Sequence, residues 1–166
     1  MNSSGKKLWE SALSIIPGGN GLLSKRPDRY GKDIWPTYYS KAKGCLIWDL
    51  DGNKYIDMTQ NGIGTAVLGY SDDDVNQSVI DAINNGVNTT LNAPEEVQLA
   101  KKLLELNPTM GGVKFARGGG EAMSLAVRIA RTHTKRDKVA FSGYHGWADW
   151  YLASNLSSGS NLDEHL

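Results

Sequence analysis

Apolar and polar positions along the chain follow two different periods, and each period predicts its own kind of element. A spacing of three or four residues predicts an amphipathic first helix, capped by Ser3 or Ser4 and ended by Pro17, and further helices over residues 72–85, 94–106 and 123–131. Alternation with a period of two predicts a β-hairpin over residues 45–58 that turns at Asp51 and Gly52, where glycine tolerates a positive φ.

The most informative segment is the glycine triplet Gly118-Gly119-Gly120, which leads into the predicted helix 123–131. Amides in the first turn of a helix have no intrahelical partner, and glycines leave them unshielded, so the segment predicts an anion site suited to a ligand's phosphate. The alternative is a tight strand-to-helix turn without a ligand, which is the commoner use of such glycines.

Two short β-compatible runs, residues 113–116 and 138–141, flank this turn and helix. Together they predict a β-turn-α-β unit whose strand ends meet at one rim of a sheet, where ligands bind. Tyr144 follows the second run, and its ring could stack on a planar cofactor attached to the phosphate. A nucleotide site is the less favoured alternative, because the glycines do not match G-x-G-x-x-G: Met123 stands where the third glycine would be.

Five segments in this order resemble the N-terminal part of a class III, pyridoxal-phosphate-dependent aminotransferase of the glutamate-1-semialdehyde aminomutase-like branch. They are Ile16-Pro17-Gly18-Gly19, the hairpin segment 46–58, Val67-Leu68-Gly69-Tyr70, the block 115–131 and Tyr144-His145-Gly146-Trp147. The resemblance implies an α/β fold of fold type I, with an N-terminal arm and hairpin over residues 1–70. The opening strands and helices of the large cofactor domain would follow over residues 71–166.

The resemblance also implies which residues hold pyridoxal 5'-phosphate. Gly118, Gly119 and Gly120 would provide amides to the phosphate and Tyr144 the ring over the pyridine face. His145 is either a polar neighbour of the cofactor or a structural hydrogen-bonding residue. The family usually has Ser-Gly-Thr at 118–120, so the hydroxyls that donate to the phosphate are missing here. Arg117 either compensates as a charged donor or is a solvent-exposed turn residue.

No catalytic residue is predicted within this chain, because no lysine matches the family's Schiff-base lysine. Asp163-Glu164 also fails to match the family's Asp-Glu pair, since it follows Ser157-Ser158-Gly159-Ser160 instead of a hydrophobic strand. We therefore expect a fragment that is inactive alone. The intact enzyme would move an amino group from a small-molecule amino donor to an oxo or aldehyde acceptor, or within one molecule as an aminomutase does. The alternative is a non-catalytic remnant that serves as a dimerisation or regulatory module.

The amino-acid composition indicates which binding partners and which cellular compartment to expect. Lysine plus arginine and aspartate plus glutamate both number 18, which predicts no attraction to nucleic acid or to an anionic membrane. Cys45 is the single cysteine, and the N-terminus has no signal-peptide pattern, so a reducing cytoplasm is expected. The hairpin aspartates lack the further ligands of a calcium site, so no metal is expected. The family resemblance implies a homodimer.

Overall fold

The computed structural model describes residues 3–31, 33–146, 148 and 150–151, which form two compact units, one ending at Asn88 and the other beginning at Thr89. The boundary at residue 70 stays a prediction. The helices and strands of the described residues are α1 (Ser4–Ile15), β1 (Tyr39–Lys43), β2 (Leu46–Asp49), β3 (Lys54–Ile56), α2 (Asp73–Asn85), α3 (Pro94–Leu106) and α4 (Gly119–Thr134).

All four predicted helices are present, and local capping explains where three of them begin. The Ser3 side chain accepts a hydrogen bond from the Lys6 amide at 3.3 Å and caps α1. Asp72 caps α2 in the same way, and α3 begins with Pro94, whose missing N–H costs nothing at that position. The fourth helix, α4, starts at Gly119, earlier than the apolar pattern indicated.

The predicted hairpin is confirmed as β2 and β3, which pair antiparallel, and β1 adds a third strand in the order β1-β2-β3. The sequence did not predict β1, whose residues are mostly polar and exposed. Asp49 is buried and accepts hydrogen bonds from the Asn53 amide, the Asn53 side chain at 2.9 Å and the Tyr55 hydroxyl at 3.0 Å. The Asn53 side chain above all holds the pKa of Asp49 below its ordinary value, so Asp49 organises the turn.

A bridge between Gly44 and Tyr70 joins the sheet to the segment that precedes α2. The Tyr70 hydroxyl donates to Asp57 Oδ2 at 2.6 Å. Burial, together with this bond to a carboxylate, raises the pKa of Tyr70 to about 12. Burial alone would raise the pKa of Asp57, but hydrogen bonds from Thr59 and Tyr70 outweigh it and hold that pKa below its usual range.

The strand predictions for residues 113–116 and 138–141 are wrong for this structure, since neither run forms a strand. A strand exists only through ladder hydrogen bonds to a neighbour, and within the described residues neither run has such a partner.

The helices α2, α3 and α4 have apolar stripes, but none of them buries a residue. No helix in the described part of the chain is long and apolar enough to cross a membrane.

Candidate functional site

The glycine triplet opens α4 and leaves its first amides available. Gly118 precedes the helix in an extended conformation, with φ −153° and ψ 161°, and no side chain of the described residues caps the helix. The first helical hydrogen bond runs from the Ala122 amide to the Gly118 carbonyl at 3.0 Å. The N–H groups of Gly119, Gly120 and Glu121 therefore precede the hydrogen-bonded ladder and can bind an anion.

Glu121 fixes the backbone just before the triplet. Its Oε2 accepts a hydrogen bond from the Arg117 amide at 2.9 Å. The bond resembles one half of a capping box, in which a glutamate in the first turn reaches back to the amide of the cap residue, but here the donor is the residue before the cap. The other half, a serine or threonine at the cap, is replaced by Gly118. Sequence reasoning missed this role of Glu121, although a glutamate three residues after the cap is a recognisable signal.

The turn that carries Tyr144 and His145 lies directly against the glycine triplet. Gly146 has φ +86°, and a Cβ built there would lie only 2.9 Å from the Gly120 Cα. Only glycine therefore allows this approach. The Tyr144 side chain is 76% exposed. His145 Nε2–H donates to the Ser142 carbonyl at 2.8 Å, so His145 makes the structural hydrogen bond considered for it.

The two segments enclose an open cleft of about 680 Å³, a volume typical of small-molecule sites. Its lining residues are Arg117, Gly118, Gly119, Gly120, Glu121, Met123, Tyr144, His145 and Gly146. The structure thus brings together every residue predicted to hold the cofactor, with Arg117 beside them, although their cofactor roles stay predictions. Trp147, Asp163 and Glu164 lie outside the described residues.

The described residues do not bring together three His, Cys, Asp or Glu side chains in a group that could hold a metal ion. The charged groups at the cleft are instead Arg117 and Glu121. Anion binding through amides, assisted by a guanidinium, is the chemistry that this lining supports.

The chain belongs to the class-III aminotransferase family, whose model matches residues 29–161. Glutamate-1-semialdehyde 2,1-aminomutase of Francisella philomiragia is 36% identical over 161 residues, which make up 96% of this chain and 37% of that enzyme. The crystal structure of an omega-transaminase from Sphaerobacter thermophilus matches with a TM-score of 0.81 at 32% identity, covering 98% of this chain and 36% of that one.

A further solved structure, described as a transaminase with PLP bound, matches with a TM-score of 0.78 at 28% identity, over 90% of this chain and 34% of that chain. The chain thus spans little more than a third of the length of these relatives. The family and the fold class implied by the resemblance are confirmed, and with them pyridoxal phosphate as the cofactor of the family.

Proposed function

We propose that this chain supplies the phosphate-binding and ring-facing part of a pyridoxal-phosphate site in an enzyme that transfers amino groups. One observation carries the proposal: the uncapped amides of Gly119, Gly120 and Glu121 open α4 at a cleft that Tyr144 also lines. The residues present fit the cofactor, because an anionic phosphate needs donors and a flat pyridine ring needs an aromatic neighbour.

The amides at the start of α4 would hold the phosphate, and the partial positive charge of the helix N-terminus adds to their attraction. The negative charge of Glu121 would repel the phosphate less than a free carboxylate would, because its Oε2 accepts a hydrogen bond from the Arg117 amide at 2.9 Å. The Arg117 side chain is exposed at the cleft and would contribute a charged donor in place of the hydroxyls that the glycine triplet lacks.

Tyr144 would cover one face of the cofactor ring, and His145 would support the turn that carries it through its bond to Ser142. When bound, pyridoxal phosphate supplies an electron-withdrawing ring that stabilises negative charge at the amino-bearing carbon of the substrate. This chain's own residues would bind and orient the cofactor, and no lysine lines the cleft within the described residues.

The substrates of the complete activity would be a small-molecule amino donor and an oxo or aldehyde acceptor, or one molecule that is both. We propose that the 166-residue chain alone does not transfer amino groups, and that the enzyme is a homodimer in the cytoplasm. The free, exposed thiol of Cys45 agrees with a reducing compartment. The alternative function is a non-catalytic module that keeps the phosphate cleft without the reaction.

The test is a titration of the isotope-labelled chain with inorganic phosphate and with pyridoxal phosphate, followed through backbone amide resonances. We expect both ligands to shift the amides of Gly119, Gly120 and Glu121, and pyridoxal phosphate alone to shift Tyr144. Shifts located elsewhere would refute the proposal. Borohydride reduction followed by mass spectrometry tests whether the chain forms a Schiff base, and a covalent cofactor adduct on one of its lysines would contradict the expectation that it forms none. An amino-transfer assay of the 166-residue chain tests the proposed inactivity, and measurable transfer would overturn it.

A further inference from the structure

Trp150 is tied to the first turn of α4 by a pair of linked hydrogen bonds. Its indole Nε1–H donates to the Ser124 hydroxyl at 2.9 Å, across 26 residues of sequence. The same hydroxyl donates its own proton to the Gly120 carbonyl, also at 2.9 Å. A serine hydroxyl can donate and accept at once, so both bonds are compatible. All three groups are at least partly shielded from water.

Tyr151, the next residue, is tied to the opposite wall of the cleft. Its hydroxyl donates to the Gly143 carbonyl at 2.9 Å, and its ring lies edge-to-face against Tyr144 with centroids 5.9 Å apart. The Trp150 and Tyr151 rings are also in edge contact, at 5.9 Å. A continuous path of contacts therefore runs from the glycine triplet through Ser124, Trp150 and Tyr151 to the turn that carries Tyr144.

We propose that Ser124 and Trp150 form a clamp that positions the Tyr144 ring relative to the phosphate-binding amides. The clamp rests on the proposed function, because it gives these two residues a role in holding the cofactor's ring. Tyr144 is 76% exposed, so its position depends on the turn beneath it and on its edge contact with the Tyr151 ring. The amides of α4, in contrast, are held by the helix itself. Ser124 and Trp150 are therefore positioning residues that act on the ring and not on the phosphate.

Simple core packing is the alternative explanation for an aromatic cluster, and it makes a different prediction. Packing contributes to stability whichever ligand is bound, so its loss would lower the melting temperature and weaken all ligands together. A clamp on Tyr144 affects only ligands that carry a ring. The comparison of pyridoxal phosphate with inorganic phosphate therefore distinguishes the two explanations.

The variants are Ser124→Ala, Trp150→Phe and their combination. Phenylalanine keeps an aromatic ring beside Phe141, which Trp150 meets edge-to-face at 5.9 Å, but it removes the indole donor. Thr134→Val is the matched control, because the Thr134 hydroxyl makes the same kind of bond, to the Ala130 carbonyl at 2.8 Å, at the far end of α4.

Calorimetric titration of the 166-residue chain should show pyridoxal phosphate binding about two- to tenfold more weakly in each single variant, which corresponds to one neutral hydrogen bond. Inorganic phosphate should bind within about twofold of the parent in all of them. The double variant should bind pyridoxal phosphate no more weakly than the weaker-binding single variant, because both substitutions break the same hydrogen bond between Trp150 and Ser124. Thr134→Val should leave the affinity for both ligands unchanged.

Hydrogen exchange without ligand provides a second measurement. The amides of residues 143–146 should exchange faster in Ser124→Ala and Trp150→Phe than in Thr134→Val. Equal losses for both ligands, or unchanged exchange and unchanged cofactor affinity, would overturn the clamp while leaving the proposed function intact. A parent chain that bound neither ligand would instead refute the proposed function, and with it the clamp's role in binding.

Discussion

Replacing Gly119 by proline removes one proposed phosphate donor with little change to the backbone. Gly119 is the first residue of α4, a position where proline is favoured because its N–H is not needed by the helix. The preceding residue, Gly118, has the extended conformation that a following proline requires. Apart from its chain neighbours and the nearby helix backbone, a Cβ at position 119 would meet no atom of the described residues within 4 Å. The substitution therefore tests the amide while preserving the helix.

The expected loss follows from the kind of bond that is removed. A hydrogen bond to a charged group contributes about 1.5–3 kcal/mol, so inorganic phosphate and pyridoxal phosphate should each bind about 10- to 150-fold more weakly to Gly119→Pro. Calorimetric titration measures both affinities. The far-ultraviolet circular dichroism spectrum and the thermal midpoint should stay close to those of the parent, since α4 is retained.

The control is Gly119→Ala, which adds a Cβ at the same place but keeps the N–H group. We expect its affinities to remain within about threefold of the parent, because no amide donor is lost. Two results would refute the reasoning. Phosphate binding by Gly119→Pro as tight as by Gly119→Ala would show that this amide does not face the anion, and equal large losses in both variants would show that space in the cleft matters and not the donor.

Three further substitutions test the site and the fold. Gly118→Ser introduces the hydroxyl that the family usually has, and calorimetry should show pyridoxal phosphate binding about three- to tenfold more tightly. Gly146→Ala forces a Cβ to 2.9 Å from Gly120 at φ +86°, so urea unfolding should show a loss of about 1–2 kcal/mol or more, with weaker cofactor binding. The parent should lose stability as the pH rises from about 10 to 12, because the raised pKa of Tyr70 in the folded state stabilises the fold only while the hydroxyl stays protonated. Tyr70→Phe has no such hydroxyl, so urea unfolding curves of this variant should not show that loss between about pH 10 and 12.

The helices could be predicted because their signals are local. Ser3, Asp72 and Pro94 mark the starts of α1, α2 and α3 within a few residues of the apolar pattern that identifies each helix. The turn at Asp51 and Gly52 marked the hairpin in the same way. In each case the interaction that ends or turns the chain lies within four residues, so the sequence contains both partners side by side.

The strands could not be predicted with the same success, because a strand depends on a distant partner. Residues 113–116 and 138–141 have strand-like composition yet form no ladder in the described structure, whereas the polar Tyr39–Lys43 segment becomes β1 because β2 lies beside it. Composition favours a pleated surface but does not supply the neighbour. The bond between Trp150 and Ser124 was missed for the same reason, since 26 residues separate its partners.

The residues that line the candidate site could be predicted without knowing the strand pairing, because they lie at the start of one helix and on one turn. The amides proposed to bind the anion follow from where α4 begins, and the closeness of Gly146 to Gly120 brings Tyr144 to them without help from a sheet. The family resemblance implies that amino transfer also needs a lysine at this cleft, and among the described lining residues there is none. We therefore expect phosphate binding and chemistry at the ring to be separable in this molecule: the first should be measurable in the 166-residue chain, and amino transfer should not.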